Sequence, residues 1–309
     1  MYDVIIIGGG PAGLSAAMYA ARLKLKVLLI AGLRGGTVVN TNDITNWPGI
    51  KKIDGINLAK QLEEHAREYG VEIKDSVAAK AQKTSDGFLV ETATSEQFKA
   101  KSLIIATGTD VRKLGAKGES EFTNRGVHYC ALCDGFFYTD KVVAVIGGSD
   151  SAVKEALILT QWAKKVYIIY RRDKLRAEPA NLERLRANDK IEVITNTNVI
   201  EIKGDENGVS SVLLDRPYKN SNELPVNGVF VEIGRIPNSD LARQLSIKTN
   251  ESGEIITDKE ARTNVEGVFA AGDVTNSSFK QAITAAAEGV IAAHSAYEYV
   301  NSLAPQVPS

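Results

Sequence analysis

An α/β architecture with two similar halves is predicted by three observations. Twice along the chain an apolar run meets a glycine turn and then a helical pattern, first from Tyr2 to Ala21 and again from Lys141 to Thr160. Each unit is followed by another apolar run, Lys26 to Ile30 and Val166 to Tyr170, so strand and helix alternate as they do in a parallel sheet covered by helices. The length of 309 residues fits two domains, because single hydrophobic cores stop growing at about 250–300 residues. Both halves therefore read as Rossmann-like folds, and no shorter repeat accompanies them.

In the first unit the strand ends in Gly8-Gly9-Gly10-Pro11-Ala12-Gly13, and the helix carries Leu14, Ala17, Met18 and Ala21 on one face. Gly8 permits the tight turn, Gly10 lets backbone approach a pyrophosphate, and Gly13 lets helix and strand pack closely, which aims the helix N-terminus at the phosphates. Such a glycine pattern carries weight only between a strand and a helix, and both are present here. The acid that would bind a ribose at the end of the next strand is missing; Ala31-Gly32-Leu33-Arg34 stands there.

In the second unit Gly147-Gly148-Ser149-Asp150-Ser151-Ala152 opens a helix with Val153, Ala156, Leu157 and Thr160 on one face. The strand after it runs into Arg171-Arg172, with Arg176 beyond. Guanidinium groups at this place suit a ribose 2′-phosphate through charge-assisted bonds, so NADP is expected over NAD. An exposed basic turn without a ligand is the plainer alternative.

Between the two units lies Cys130-Ala131-Leu132-Cys133-Asp134, which holds the only two cysteines of the sequence. Two thiols at this spacing can close a disulfide and so store two electrons reversibly. A structural zinc site would need two more Cys or His ligands, and of His65, His128 and His294 only His128 is near. A redox dithiol and no metal is the expectation, with an inert buried pair as the remaining alternative. The 37 basic and 38 acidic residues give a net charge of −1, so no general attraction to nucleic acid or anionic membrane is expected. The apolar start carries Asp3 and no basic stretch, and it breaks at glycine after a few residues, which reads as a buried strand rather than a signal peptide. A cytoplasmic protein is expected. Leu58 to Tyr69 reads as an amphipathic helix with Leu58, Leu62 and either His65 or Ala66 inward, and Glu63, Glu64 and Arg67 outward. The stretch from Ile191 to Pro225 reads as strands and turns, and the tail from Leu303 as disordered.

Taken in order, the motifs resemble the low-molecular-weight thioredoxin reductases, a family of two-dinucleotide-binding-domain flavoproteins. The resemblance runs from Tyr2 to about Val300 and rests on Gly8 to Gly13, Gly35-Gly36, Asn46-Trp47-Pro48-Gly49, Ala106-Thr107-Gly108, Cys130 to Gly135, Gly147 to Ala152, Tyr170 to Asp173, Gly234-Arg235-Ile236-Pro237, Ala270 to Asp273 and Gln281-Ala282. It implies an α/β fold of two Rossmann-like domains, the second inserted into the first: an FAD domain of residues 1–113 and 241–309, and an NADPH domain of 114–240 carrying the CxxC pair. The apolar runs that end at Thr107-Gly108 and Gly234-Arg235 are where the chain would cross, and the crossings would act as hinges.

For FAD the resemblance implicates Gly8, Gly10, Pro11, Ala12, Gly13, Gly35, Gly36, Asn46, Ala106, Thr107, Gly108, Gly272, Asp273, Lys280, Gln281 and Ala282. Asp273 would bond the ribityl chain, and the helix opening at Gln281-Ala282 would point its positive end at the flavin ring. For NADPH it implicates Gly147, Gly148, Ser149, Asp150, Ser151, Ala152, Arg171, Arg172, Arg176, Gly234 and Arg235. Electrons would pass from NADPH through FAD to the Cys130–Cys133 disulfide and on to a thioredoxin-like protein. Cys133 would lie next to the flavin, Cys130 would attack the partner, and Asp134 would supply the proton. The inserted domain would have to turn between two states, and the protein would be a homodimer.

Three positions depart from the family pattern: Ser149 replaces a glycine, Thr37 a glutamine and Lys280 an arginine. Ser149 leaves open a same-fold enzyme with another donor or acceptor, such as a ferredoxin-linked reductase or a dithiol oxidase. A non-catalytic nucleotide- or metal-binding module is the alternative of another class, and it would be colourless.

Overall fold

The computed structural model describes residues 1–303 apart from 42, 43 and 45, and of residues 132 and 133 the backbone alone; the tail from 304 onward lies outside the described residues. The chain forms two compact units, residues 1–110 with 236–309, and residues 111–235.

The first unit begins with β1 (Tyr2–Ile7), which passes through the glycine turn into α1 (Pro11–Arg22); β2 (Val27–Ala31) returns parallel to β1. α2 (Gly55–Glu68) leads to β3 (Glu72–Asp75), parallel to β2. An antiparallel meander follows, β4 (Ala78–Thr84), β5 (Gly87–Thr92) and β6 (Gln97–Ile105). β6 pairs with β1 on one side, and on the other its first half pairs with β5, which leaves its second half for a strand from the far end of the chain.

The strand β7 (Thr109–Val111) crosses into the second unit, which continues with β8 (Val127–His128), α3 (Ala131–Asp134), β9 (Val142–Ile146), α4 (Asp150–Leu159), β10 (Lys165–Ile169), α5 (Pro179–Arg186) and β11 (Ile191–Ile194). β12 (Val199–Asp205), β13 (Gly208–Tyr218) and β14 (Ser221–Pro225) form a separate antiparallel sheet, after which β15 (Gly228–Val231) completes the parallel sheet β11-β10-β9-β15-β8. The chain leaves through β16 (Arg235–Pro237), which pairs with β7. It then adds α6 (Asp240–Gln244), β17 (Val268–Ala270) on the vacant half of β6, and α7 (Ala282–Ser302) to the first unit.

The parallel strands at the centre of both sheets are covered on two faces, which is why they read as unbroken apolar runs. In β1, Val4 and Ile6 join Leu14, Ala17 and Ala21 of α1 in one core, while Ile5 and Ile7 join Leu28, Phe88, Val90 and Leu241 in another. In the second unit Val143, Val145 and Phe230 pack on Val153 and Ala156 of α4, and Ala144, Ile146 and Val229 pack towards Val212 and Leu214 of the small sheet. α7 lies close on α1: a Cβ on Gly289 would fall 2.1 Å from the carbonyl oxygen of Ala12, and Ala285, Ala292 and Ala293 are buried beside it.

α2 starts earlier than its apolar pattern, because the carboxylate of Asp54 accepts the amide of Asn57 at 2.8 Å and caps the helix. Of the two candidates for its inner face, Ala66 is buried and His65 exposed. Glu63, expected outward, is instead largely covered, because it accepts from Arg34 at 2.8 Å and Arg67 at 2.9 Å. No helix among the described residues is long and apolar enough to cross a membrane.

Candidate active site and nucleotide cradles

The glycine turn of the first unit is packed from beneath and open above. A Cβ on Gly8, whose φ is +119°, would fall 2.1 Å from the carbonyl oxygen of Ala106, and one on Gly13 would fall 1.8 Å from that of Gly8. Gly10 meets only other glycines: a Cβ there would find the Cα of Gly36 at 3.8 Å and the oxygen of Gly35 at 3.9 Å. The amide of Gly35 donates to Gly9 at 2.8 Å and holds this second glycine pair against the first. The result is a groove walled by backbone at the N-terminus of α1, where Ala12 and Gly13 offer amides and Pro11 has none to offer. Such a groove fits a pyrophosphate.

The remaining residues expected around FAD belong to the same unit. Gly272 sits near the first turn of α1, its Cβ position 2.9 Å from that of Ala12, and its amide donates to Glu288 of α7 at 2.7 Å. Asn46 donates to the Gln281 side chain at 2.9 Å, and Gln281 is the N-cap of α7, so Asn46, Gln281 and Ala282 meet at the start of that 21-residue helix. Thr107 donates to the Asn238 carbonyl at 2.6 Å, and the carbonyl of Gly108 accepts the Asn238 amide. The buried hydroxyl of Thr109, next in sequence, has no partner among the described residues. Lys280 directs its ammonium to Glu254 and to the carbonyls of Asp273 and Thr275, so it shapes the loop carrying Asp273. The carboxylate of Asp273 has no partner among the described residues. Asp273→Ala is expected to lower FAD retention about tenfold, read from the flavin lost on dilution or gel filtration.

No acid stands at the end of β2 in the sequence. The structure brings two there from elsewhere: Arg34 is bidentate to Asp75 at the end of β3, at 2.5 Å for both contacts, and also binds Glu63 of α2. Contacts across three elements leave no mark at any fixed sequence spacing.

The second cradle is built alike. A Cβ on Gly147, at φ +151°, would fall 2.1 Å from the carbonyl oxygen of Glu232, and one on Gly148 would fall 2.4 Å from the ring of Tyr170. Ser149 is the N-cap of α4, yet its hydroxyl makes no cap bond and no other bond among the described residues. The backbone of Arg176 is bridged to Ser149 and donates to the Gly148 carbonyl at 2.7 Å. Arg171, Arg172 and Arg176 are exposed beyond β10, and their guanidinium groups have no partner among the described residues. The buried hydroxyl of Tyr170, just before them, also lacks one. Unpaired donors around a backbone turn at a helix N-terminus fit a phosphorylated dinucleotide. Asp150 is committed elsewhere: although burial alone would raise it, its bonds to Lys154, Asn181 and the amide of Glu178 bring its carboxyl down to about 2. It ties α4 to the start of α5. Gly234, at φ +102°, accepts the amide of Arg112 at 3.0 Å, and Arg235 is exposed beside it.

Cys130 is disulfide-bonded and opens the short helix α3. Cys133 belongs to that helix by its backbone, while its side chain lies outside the described residues. Glu155, on α4 of the nucleotide cradle, accepts the amide of Ala131, so the helix that follows the glycine turn also holds the cysteine turn. Glu232 follows β15 and has a high pKa: burial and the charge of Glu155 push its carboxyl up to about 8, against the pull of Arg235. Burial raises Glu155 as well, while the Ala131 amide and Arg235 oppose it. Neither glutamate carries a sequence signal. Phe136 and Phe137, immediately after Asp134-Gly135, are exposed with ring centroids 4.0 Å apart. No group of three or more His, Cys, Asp or Glu gathers as a metal set among the described residues.

The high pKa of Glu232 has a stability consequence with a definite sign. A carboxyl near 8 when folded and near 4.5 when unfolded binds its proton first in the folded state, so its contribution is complete below 4.5 and is lost as pH rises towards 8. Glu232→Gln is expected to raise the melting temperature more at pH 8 than at pH 5, measured by thermal denaturation.

Two nucleotide cradles and a disulfide in one chain define a pyridine-nucleotide flavoprotein of the disulfide oxidoreductase class. The family model described as pyridine nucleotide-disulphide oxidoreductase matches residues 2–289. Thioredoxin reductase of Listeria innocua is 44% identical over 310 residues, covering 98% of this chain and 95% of that protein, and that of Bacillus subtilis is 43% identical, covering 98% and 96%. The crystal structure of Lactococcus lactis thioredoxin reductase superposes with a TM-score of 0.82 at 42% identity, covering 98% of this chain and all of that one. The chain belongs to the pyridine nucleotide-disulphide oxidoreductase family, among its low-molecular-weight thioredoxin reductases, and its cofactors are FAD and NADPH.

Proposed function

We propose that the chain reduces the disulfide of a thioredoxin-like protein, with Cys130 and Cys133 as the exchanging pair. The observation that carries this reading is the Glu155–Ala131 bond, which builds the disulfide-bearing turn onto the nucleotide-binding helix. The FAD groove is assigned to the unit of residues 1–110 and 236–309, and the NADPH cradle to residues 111–235. When bound, NADPH supplies an electron pair and FAD conveys it to the disulfide. The backbone of Gly8, Gly10, Gly13, Gly35 and Gly36 receives one pyrophosphate, and Gly147 to Ala152 the other, with the Ser149 hydroxyl as an added donor. Arg171, Arg172 and Arg176 bind the 2′-phosphate. Cys130 attacks the partner, Cys133 then resolves the mixed disulfide, and Asp134 moves the proton. We further infer a cytoplasmic homodimer, which light scattering of the purified protein would check.

The test is anaerobic titration with NADPH and then with NADH while flavin absorbance is followed, with thioredoxin added last. Bleaching by NADPH followed by reoxidation on addition of oxidised thioredoxin is expected. Bleaching only by another donor, or no reoxidation, would overturn the reading. Phe136 and Phe137 offer an apolar face beside Asp134 to the incoming protein. Phe136→Ala with Phe137→Ala is expected to raise KM for thioredoxin about tenfold, roughly 1.4 kcal/mol, and to leave KM for NADPH unchanged in steady-state assays.

A further inference from the structure

His128 lies two residues before Cys130, on the edge strand β8, and its ring is only 7% exposed. Three groups hold it. Phe230 of the neighbouring strand β15 stacks on it with centroids 5.3 Å apart and planes at 28°. Its Nδ1 lies 3.2 Å from a carboxylate oxygen of Asp134, and its Nε2 lies 2.7 Å from the hydroxyl of Tyr138. We propose that His128 is a positioning residue for Asp134, completing a Tyr138–His128–Asp134 chain that holds the carboxyl beside the cysteine pair and stabilises its anion each time it gives up a proton. This rests on the reading that Asp134 is the proton donor.

The chain of bonds has one consistent polarity. When Asp134 is ionised its carboxylate can only accept, so Nδ1 carries the hydrogen, and Nε2 then accepts from the Tyr138 O–H. Tyr138 can keep that hydrogen, because burial and the charge of Asp134 push it up to about 12. The charged groups around the chain include Asp134 itself, Lys141, whose ammonium lies 5.6 Å from the Tyr138 ring centre, and Glu155 of α4, which accepts the amide of Ala131 in the same turn. One carboxylate oxygen of Asp134 is occupied by His128, and the other, without a partner among the described residues, is left for sulfur chemistry.

The proton count sets the demand on this group. In the first step the Cys130 thiolate bonds to one partner sulfur, the partner disulfide breaks, and the leaving thiolate takes the proton of Asp134. In the second, Asp134 takes the proton of the Cys133 thiol; the Cys133 thiolate bonds to Cys130, and the second partner thiolate leaves and takes that proton. Asp134 is left ionised twice per turnover, and an N–H fixed on it stabilises that ion.

The experiment measures thioredoxin reduction against pH in the FAD-loaded enzyme, with NADPH-driven flavin bleaching as the upstream control. It also records the nitrogen resonances of protein labelled with ¹⁵N-histidine, which has three histidines. His128→Phe keeps the stack on Phe230 but removes both nitrogens. It is expected to slow thioredoxin reduction about tenfold to a hundredfold and to change its pH profile, with bleaching unchanged. His128→Asn, whose amide can donate from near the Nδ1 position, should recover part of both effects. The wild-type spectrum should contain one ring carrying its hydrogen on Nδ1, altered in Asp134→Asn. If Asp134→Asn reduces thioredoxin at the wild-type rate, the proton-donor reading falls and the inference falls with it. If Asp134→Asn is impaired while His128→Phe keeps the wild-type rate and pH profile, the reading stands and the inference is overturned. Should His128→Phe not fold, the wild-type resonance decides: a ring protonated at Nε2 overturns the inference.

Discussion

Cys130→Ser and Cys133→Ser are each expected to bring thioredoxin reduction down to background while leaving flavin bleaching by NADPH intact. The dithiol stands downstream of the flavin in the proposed route, and disulfide exchange needs both sulfurs, one to attack and one to resolve. The two variants should differ in what they hold. Cys133→Ser leaves Cys130 free to attack but nothing to resolve the product, so incubation with thioredoxin should give a mixed disulfide visible as a heavier band on non-reducing gels. Cys130→Ser should give none. A mixed disulfide formed by Cys130→Ser and not by Cys133→Ser would reverse the two roles. Full turnover in either variant would remove the pair from the route.

Arg171→Ala combined with Arg172→Ala is expected to raise KM for NADPH about a hundredfold or more and to leave KM for NADH nearly unchanged. Both side chains are exposed beyond β10 without a partner among the described residues, unlike Arg34, whose guanidinium is bound by Asp75 and Glu63. Each charge-assisted phosphate contact contributes roughly 1.5–3 kcal/mol, so losing two weakens binding by at least that factor. NADH lacks the 2′-phosphate. Ser149→Gly supplies the control, because in the proposed mode its hydroxyl would meet the pyrophosphate common to both cofactors, and its effect should be parallel for the two. Steady-state kinetics with each cofactor checks the set; equal losses for NADH and NADPH in the double arginine variant would make these arginines surface residues and withdraw the 2′-phosphate assignment.

What could be read without the structure is whatever chemistry writes into neighbouring residues. The unbroken apolar runs of β1, β2, β9 and β10 follow from burial on both faces of a parallel sheet, and the glycines at 8, 13 and 147 from backbone atoms that approach to about 2 Å of where a Cβ would stand. The CxxC spacing is dictated by the reach of a disulfide within one helical turn. These features gave the α/β class, the two cradles and the redox pair. The helical face of α2 was legible except where Arg34 drew Glu63 inward, because a side chain from outside the helix decided that.

Tertiary structure alone decided the surroundings of the cysteine pair. Glu155 is 25 residues beyond Cys130 on another helix, and Glu232 follows another strand, yet burial raises both carboxyls. Spacing alone offers His128 only as a lone histidine near the cysteines; what reveals its connection is β8 pairing with β15, which stacks the ring on Phe230 and turns its nitrogens to Asp134 and Tyr138. Local spacing specifies strands, turns and helices because their forces act within a few residues. Which titratable groups share one desolvated space depends on how distant strands come together, and no short window of the chain contains that information.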